Sequence, residues 1–319
     1  MSIRKGLSSF VILLWSAVIL TVIGIVFYFL SSAGSSFGLS QSAPSSTGTA
    51  TLLPSFTPSP LPHTRTPLPS TTSTAAQTLP SPTPALPQPQ IIGTSVAGRP
   101  LEVYQFGNGP TQKMIIAGIH GGYERNTIEL ADELIDYLNT HPEIIPVNHT
   151  LYLLRAFNPD GFERSKGFGG RANENNVDLN RNFPSDWQIE WPRAGCWDYI
   201  PITGGTAAAS EPETQALMTF VETHNLKGFI SYHSAALGIF PGGQPPDEGS
   251  LSLAESLAAV SDYPYPPIDA GCTITGQLVD WVSDQGIPAV DIELTNHKDT
   301  DFAINLGTLS VFLDWSLPE

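Results

Sequence analysis

Hydrophobic positions follow three regimes along the chain. Phe10 to Leu30 is an unbroken run of apolar and small residues without a charge, and from about residue 31 to 90 apolar residues are scattered among Ser, Thr, Pro and Ala. From Ile91 onward, short apolar runs alternate with amphipathic segments. The runs Met114 to Ile119, Leu151 to Phe157, Gly228 to Tyr232 and Ala289 to Leu294 read as strands. The segments Thr127 to Leu138, Glu213 to His224, Leu251 to Val260, Gly276 to Ser283 and Phe302 to Trp315 read as helices. Alternation of this kind predicts an α/β domain over 91–319, a mixed, mostly parallel twisted sheet flanked by helices. Ser210-Glu-Pro-Glu213 has the form of a capping box, with Ser as N-cap and Glu three residues later.

As a helix, the first run is long enough to cross a hydrocarbon core of about 30 Å. Arg4 and Lys5 precede it, which keeps residues 1–9 on the cytoplasmic side and makes 10–30 a transmembrane signal anchor. The alternative is a signal peptide cut near residues 31–34, with the remainder secreted. The Ser/Thr/Pro-rich segment 31–90 buries too little apolar surface to offset the entropy of ordering, so it reads as a disordered, extended linker. The expected location is the cell membrane, single-pass, with the domain outside.

Charge sharpens this division. All thirty acidic residues lie beyond residue 90, where only Arg4, Lys5 and Arg65 of the fourteen basic ones are missing, and the net charge is −16. A nucleic-acid partner needs a basic face and is not implied. Cys196 and Cys272 are the two cysteines. An exported pair can close one disulfide, provided that the fold brings their Cα atoms together. The domain from Ile91 has no Cys-x-x-Cys and no Gly-x-Ser-x-Gly, and the one Gly-x-Ser-x-Gly of the chain, Gly34 to Gly38, falls in the Ser/Thr/Pro-rich segment, which leaves metal chemistry as the main hydrolytic option.

Chemistry-bearing side chains gather at the ends of the expected strands, where open α/β sheets place ligands. Met-Ile-Ile-Ala-Gly-Ile runs into His120-Gly-Gly-Tyr-Glu124, Phe-Ile-Ser-Tyr ends in His233, and Val-Asp-Ile ends in Glu293. Two such histidines with two such glutamates fit a catalytic zinc of the two-histidine, one-glutamate type. His63, His141, His149, His224 and His297 read as solvated or structural. Arg171 to Pro184 adds two arginines, an aspartate and five asparagines in one polar loop, suited to recognising carboxylates and developing oxyanions.

In their order these residues resemble the zinc carboxypeptidase family, the M14 metallopeptidases, and especially its smaller bacterial branch of murein peptide amidases. The resemblance rests on Gly-Ile-His120 with Glu124, Asn158-Pro-Asp-Gly161, Arg171, Val-Asp178-Leu-Asn180-Arg181-Asn-Phe-Pro, Ser-Glu-Pro-Glu-Thr at 210–214, Tyr-His233-Ser and Glu293. It implies that His120, Glu124 and His233 bind one zinc per chain, with Asp178 orienting His120. It further implies that Arg171 holds the oxyanion, that Asn180 and Arg181 grip a substrate carboxylate, and that Glu293 is the general base. The reaction implied is hydrolysis of a peptide or amide bond beside a carboxylate by zinc-activated water, on a peptide or cell-wall peptide. Two other readings use the same residues: a zinc deacylase of small acylated amino acids, and an inactive surface domain that holds peptides.

The chain departs from the family pattern in two places. Glu124 follows His120 by four positions, where the family has three, and Gly121 and Gly122 make the extra residue sterically possible. No tyrosine falls near Cys272, where the flexible capping tyrosine of the digestive members would align, and Tyr263 and Tyr265 are the candidates to replace it. Val279 aligns near the position that sets specificity and implies an apolar pocket floor.

Overall fold

The computed structural model describes residues 88–196, 201–235 and 238–317. The expected anchor at 10–30, and all of the expected linker before residue 88, lie outside them. Among the described residues no helix is long and apolar enough to cross a membrane.

Seven strands form one sheet: β1 (Gln90–Thr94), β2 (Pro100–Gly107), β3 (Thr111–Ile116), β4 (His149–Leu154), β5 (Leu226–Ser234), β6 (Gly238–Pro241) and β7 (Ala289–Leu294). Their order is β1-β2-β4-β3-β5-β7-β6. The inner strands β4, β3, β5 and β7 run parallel, and β1, β2 and β6 pair antiparallel at the edges. A parallel centre must be covered on both faces, which is why the inner strands are near-continuous apolar runs. Strand residues alternate between two cores. Ile115, Leu153, Ile230, Val290 and Ile292 pack on one face against α1 (Arg125–Thr140), α4 (Glu248–Ala258) and α6 (Phe302–Asp314). Met114, Ile116, Leu154, Phe229 and Ala289 face the other way, against α3 (Pro212–Thr223) and α5 (Leu278–Asp284).

One buried cation ties the sheet to the end of α6. Lys113, in β3, donates from Nζ to the carbonyls of Phe312, Leu313 and Trp315. It thereby satisfies carbonyls that the end of a helix leaves without partners.

Sequence periodicity finds the inner strands and the helices but misses β1, β2 and β6. Edge strands are partly exposed and carry a weaker apolar signal; in β2 only Leu101, Val103 and Phe106 are buried. The capping box at Ser210 does not form. Pro212 starts α3 with Glu211 at the cap, and Ser210 Oγ donates instead to Glu211 Oε1 at 2.6 Å. Glu213 is drawn away to accept from Val96 N (3.1 Å) and Asn173 Nδ2 (3.3 Å).

Candidate metal centre and cavity

The C-terminal ends of β3, β5 and β7 open on one side of the sheet, and each delivers part of a single site. After β3 the backbone makes two tight turns, with Gly121 N donating to Gly118 O (3.0 Å) and Tyr123 N to His120 O (3.1 Å). Gly121 has φ +49°, and a Cβ on Gly122 would lie 1.8 Å from Ser165 O. The extra residue between His120 and Glu124 is therefore absorbed in a loop that only glycine can make. Glu124 caps α1 as its N-cap residue.

His120, Glu124 and His233 are buried, and their candidate ligand atoms all lie within 4.8 Å of one another. His120 Nδ1 is 2.7 Å from Glu124 Oε1, and His233 Nδ1 is 3.2 Å from Glu124 Oε2. Both imidazoles thus turn Nδ1 toward the same point. Their Nε2 atoms face outward to carboxylates, at 3.2 Å from Asp178 Oδ1 for His120 and 3.3 Å from Asp291 Oδ1 for His233. Carboxylates behind metal-binding histidines fix the tautomer in this way.

Electrostatics agree with the geometry. Burial opposes the charge on Glu124, yet His120 and then His233 hold its carboxyl far below the ordinary range. Burial likewise opposes the charge on Asp178, but Arg171, His120 and Arg181 hold its carboxyl well down. His233 goes the other way: burial disfavours the imidazolium, and Asp291 and Glu124 outweigh burial to raise its pKa well above the usual value. The cluster is thus rich in buried carboxylates that favour positive charge among them. Glu124 Oε2 completes no hydrogen bond. Two imidazole nitrogens and one carboxylate converging there are a donor set suited to zinc.

The polar loop from Arg171 is held rigidly, and its asparagines do much of the holding. Asn158 Nδ2, from the cap of α2 (Pro159–Arg164), donates to Arg171 O (3.0 Å), and from within the loop Asn173 Nδ2 donates to Glu211 Oε2 (2.8 Å) and Asn182 Nδ2 to Gly204 O (2.7 Å). Arg171 donates from Nε to Asp178 Oδ2 at 2.9 Å. Asp178 also accepts from Asn180 N (3.0 Å), so one aspartate links His120, Arg171 and the backbone of the next turn. Asn180 Oδ1 accepts from Leu278 N at 2.9 Å, and Arg181 Nη1 donates to Asn180 O at 2.8 Å. The Arg181 guanidinium lies over Trp191, 5.2 Å from the ring centre.

His120, Glu124, His233, Arg171, Asn180, Arg181 and Glu293 all line one cavity of about 990 Å³. Asp178 stands behind it, fully buried. Register explains Glu293: it pairs with His233 across β5 and β7, as Asp291 pairs with Ser231. All four share the sheet face that carries Phe229 and Ala289.

Three expectations are corrected. Val279 is buried in the apolar core beneath α5 and does not line the cavity, because the helix turns it away from the site. Tyr263 is buried, donates to Asp301 Oδ2 at 3.0 Å and receives a bond from Asn305, while Tyr265 packs against the core. Neither reaches the cavity. In place of a tyrosine, the wall holds a disulfide: Cys196 and Cys272 are bonded with their Cα atoms 4.6 Å apart, and both line the cavity. Arg181 Nη2 lies 3.7 Å from Cys272 Sγ. His297, read as solvated or structural, sits on the cavity wall with Nδ1 3.1 Å from Ser234 Oγ and its ring against Tyr123.

Sequence reading missed Asp291, Asp280, Gln277 and Gln244, which also line the cavity. The signal for Asp291 was present. It lies two residues before Glu293 in a strand, so it must share that residue's face.

Comparison with known proteins supports the assignment of the fold and family. The zinc carboxypeptidase (M14 peptidase) family model matches residues 74–310. Carboxypeptidase D of Rattus norvegicus is 30% identical over 195 residues, 56% of this chain and 13% of that protein. Murein peptide amidase A of Escherichia coli K12 is 27% identical over 214 residues, 65% of this chain and 81% of that protein. The crystal structure of a murein-tripeptide amidase from Escherichia coli O157 superposes with a TM-score of 0.55 at 24% identity, covering 73% of this chain and 94% of that one. The chain spans only 13% of carboxypeptidase D.

Proposed function

The chain belongs to the zinc carboxypeptidase family, and from that membership we propose that it is an exported hydrolase that cleaves an amide bond beside a substrate carboxylate. Its type is a carboxypeptidase or a cell-wall peptide amidase, the latter being the activity that the Escherichia coli relative's name carries. The observation behind this reading is the convergence of His120, Glu124, His233, Glu293, Arg171, Asn180 and Arg181 on one cavity.

His120, Glu124 and His233 would hold one zinc, which when bound supplies Lewis acidity and a water acidic enough to react near pH 7. Glu293 accepts the proton of the attacking water and returns it to the departing amine. Arg171, held by Asp178, meets negative charge developing on the scissile carbonyl oxygen, a donor role typically worth about 3 kcal/mol. Asn180 has its carbonyl end tied to Leu278 N, which points its amide nitrogen to a substrate carboxylate. Arg181 supplies the matching charge, and a planar guanidinium fixes such a carboxylate in two directions. Together these two residues set which bond lies over the metal centre.

The assignment of Arg181 has a direct test. Arg181→Ala removes a contact made before and during reaction, so it raises KM about 10-fold or more with a smaller effect on kcat, whereas Arg171→Ala chiefly lowers kcat. The wild-type chain prefers a free-carboxylate peptide to its amidated twin, and Arg181→Ala loses that preference. Equal cleavage of both peptides by wild type would shift the assignment to an amidase that reads an internal or side-chain carboxylate. Digestion of peptide mixtures and of muropeptides, with products read by mass, identifies the scissile bond. No cleavage of either by the zinc-loaded chain would overturn the hydrolase reading.

We place the domain outside the membrane on an extended linker, because Arg4 and Lys5 precede the apolar run. Protease added to intact cells should release an active fragment by cutting between residues 31 and 90. A domain that becomes cleavable only after lysis would lie on the inner side.

A further inference from the structure

Arg181 lines the cavity and is itself buried, at 5% exposed. A guanidinium in that position has to be fixed without losing the donors that a ligand needs. A protein carboxylate would fix it and then compete with the substrate for the same N–H groups. An aromatic ring holds a guanidinium by its face and takes none of them. Trp191 provides such a ring, with the Arg181 guanidinium carbon 5.2 Å from its centre. Trp191 is equally buried and does not line the cavity, so any effect it has on a substrate passes through a neighbour.

The indole is fixed in turn. Arg193 stacks on it, 3.8 Å from the ring centre, and is held by Glu190 Oε2 (3.0 Å) and the carbonyl of Ile202 (2.5 Å). Ala172 and Ile202 pack with Trp191 in a small apolar cluster, and Cys196 lies against it. The same segment is closed on itself, with Gly204 N donating to Ile189 O (2.9 Å) and Trp187 Nε1 to Gly204 O (2.7 Å). Cys196 is bonded to Cys272, whose Sγ lies 3.7 Å from Arg181 Nη2. Residues 187–196 thus reach Arg181 twice, once by a ring face and once through the disulfide. An apolar cluster alone would be served as well by a leucine at 191; stacking on two guanidinium groups is a property of the ring.

We propose that Trp191 is a positioning residue for Arg181, fixing the guanidinium by its face so that its N–H edge is presented to the substrate carboxylate. This rests on the assignment of Arg181 to that carboxylate, and it adds the residue that makes the grip selective.

The test uses the full zinc-loaded chain with an acylated alanyl-alanine and its amidated twin, whose small side chains make little demand on the pocket. A desolvated guanidinium–indole contact corresponds to about 2- to 30-fold in affinity. Trp191→Leu should raise KM for the free acid about 3- to 30-fold, no further than Arg181→Ala, and change kcat less than about 2-fold. It should lower the acid-to-amide ratio of kcat/KM by the same factor, and Trp191→Phe, which keeps a ring face, should recover most of it. Added to Arg181→Ala, Trp191→Leu should change nothing more, since its route to the substrate is gone. A KM increase that persists in the Arg181→Ala background, or that falls equally on acid and amide, marks a general loosening of the fold and overturns the proposal. Where Trp191→Leu fails to fold, Arg193→Gln decides, because it leaves the buried cluster whole: the ratio should fall at least about 2-fold, and an unchanged ratio overturns the proposal. Calorimetric titration with N-acetylalanine and its amide reads the same preference without turnover. In a chain that cleaves neither peptide, tighter binding of the acid that Trp191→Leu weakens supports the positioning role and discards the hydrolase. Equal binding of acid and amide by wild type takes the carboxylate away from Arg181 and the proposal with it. A preference lost in Arg181→Ala but intact in Trp191→Leu overturns the positioning role alone.

Discussion

Glu293→Gln lowers kcat by at least about 100-fold, and up to about 10⁴-fold, the range that loss of a positioned general base gives. The substitution keeps the size and planarity of the side chain and removes only its capacity to take a proton. Glu293 sits in β7 opposite His233, on a strand fixed by the core beneath it, so the amide should occupy the position of the carboxylate. Zinc content should remain at one per chain, because the proposed ligands are untouched. Steady-state kinetics and metal analysis on the same preparation check both halves. Loss of zinc together with activity would instead make Glu293 part of the metal site.

His233→Ala has the larger effect, removal of bound zinc and with it of measurable turnover. The substitution deletes one of three donors and leaves Glu124 and Asp291, both buried, facing the space left behind. Asp178→Asn provides the scale. It weakens the support behind His120 together with the hold on Arg171, leaves all three proposed ligands in place, and should reduce zinc affinity about 10- to 100-fold, as loss of such partners does. His233→Ala must exceed that figure when both are dialysed against a chelator and assayed for metal. A His233→Ala chain that keeps one zinc and full activity removes His233 from the ligand set.

The strand-end half of the candidate site was legible in the sequence because each of its residues interrupts an apolar strand at its end. His120, His233 and Glu293 stand out for that reason, and the parallel register of β3, β5 and β7 brings them together. Arg171, Asn180 and Arg181 were legible from their density in one polar loop. The floor of the cavity was not. Asp280 lies on α5 among buried neighbours, where a carboxylate in an amphipathic helix reads as solvated, and Gln244 reaches it from a connection more than thirty residues earlier in the chain. The correction at Val279 has the same origin: a position inferred along the sequence says nothing about which side of a short helix faces the substrate. The edge strands were missed because their burial is partial, and Tyr263 because a buried hydroxyl bonded to Asp301 looks, in sequence, like any tyrosine on a loop.

The disulfide in the cavity wall bears on how the site meets its substrate. It closes a separation of 76 residues, and by loop entropy alone such a link stabilises a fold by about 4 to 5 kcal/mol. It joins the segment that holds Cys196 to the one that holds Cys272, both of which face the cavity. The conformational freedom of these two segments is therefore surrendered when the chain folds and oxidises, not when a substrate arrives. Docking against a wall already ordered loses less entropy, and opening or closing of that wall is restrained as a gate on product release. Residence time of the product should then depend on the contacts inside the cavity rather than on the motion of its rim.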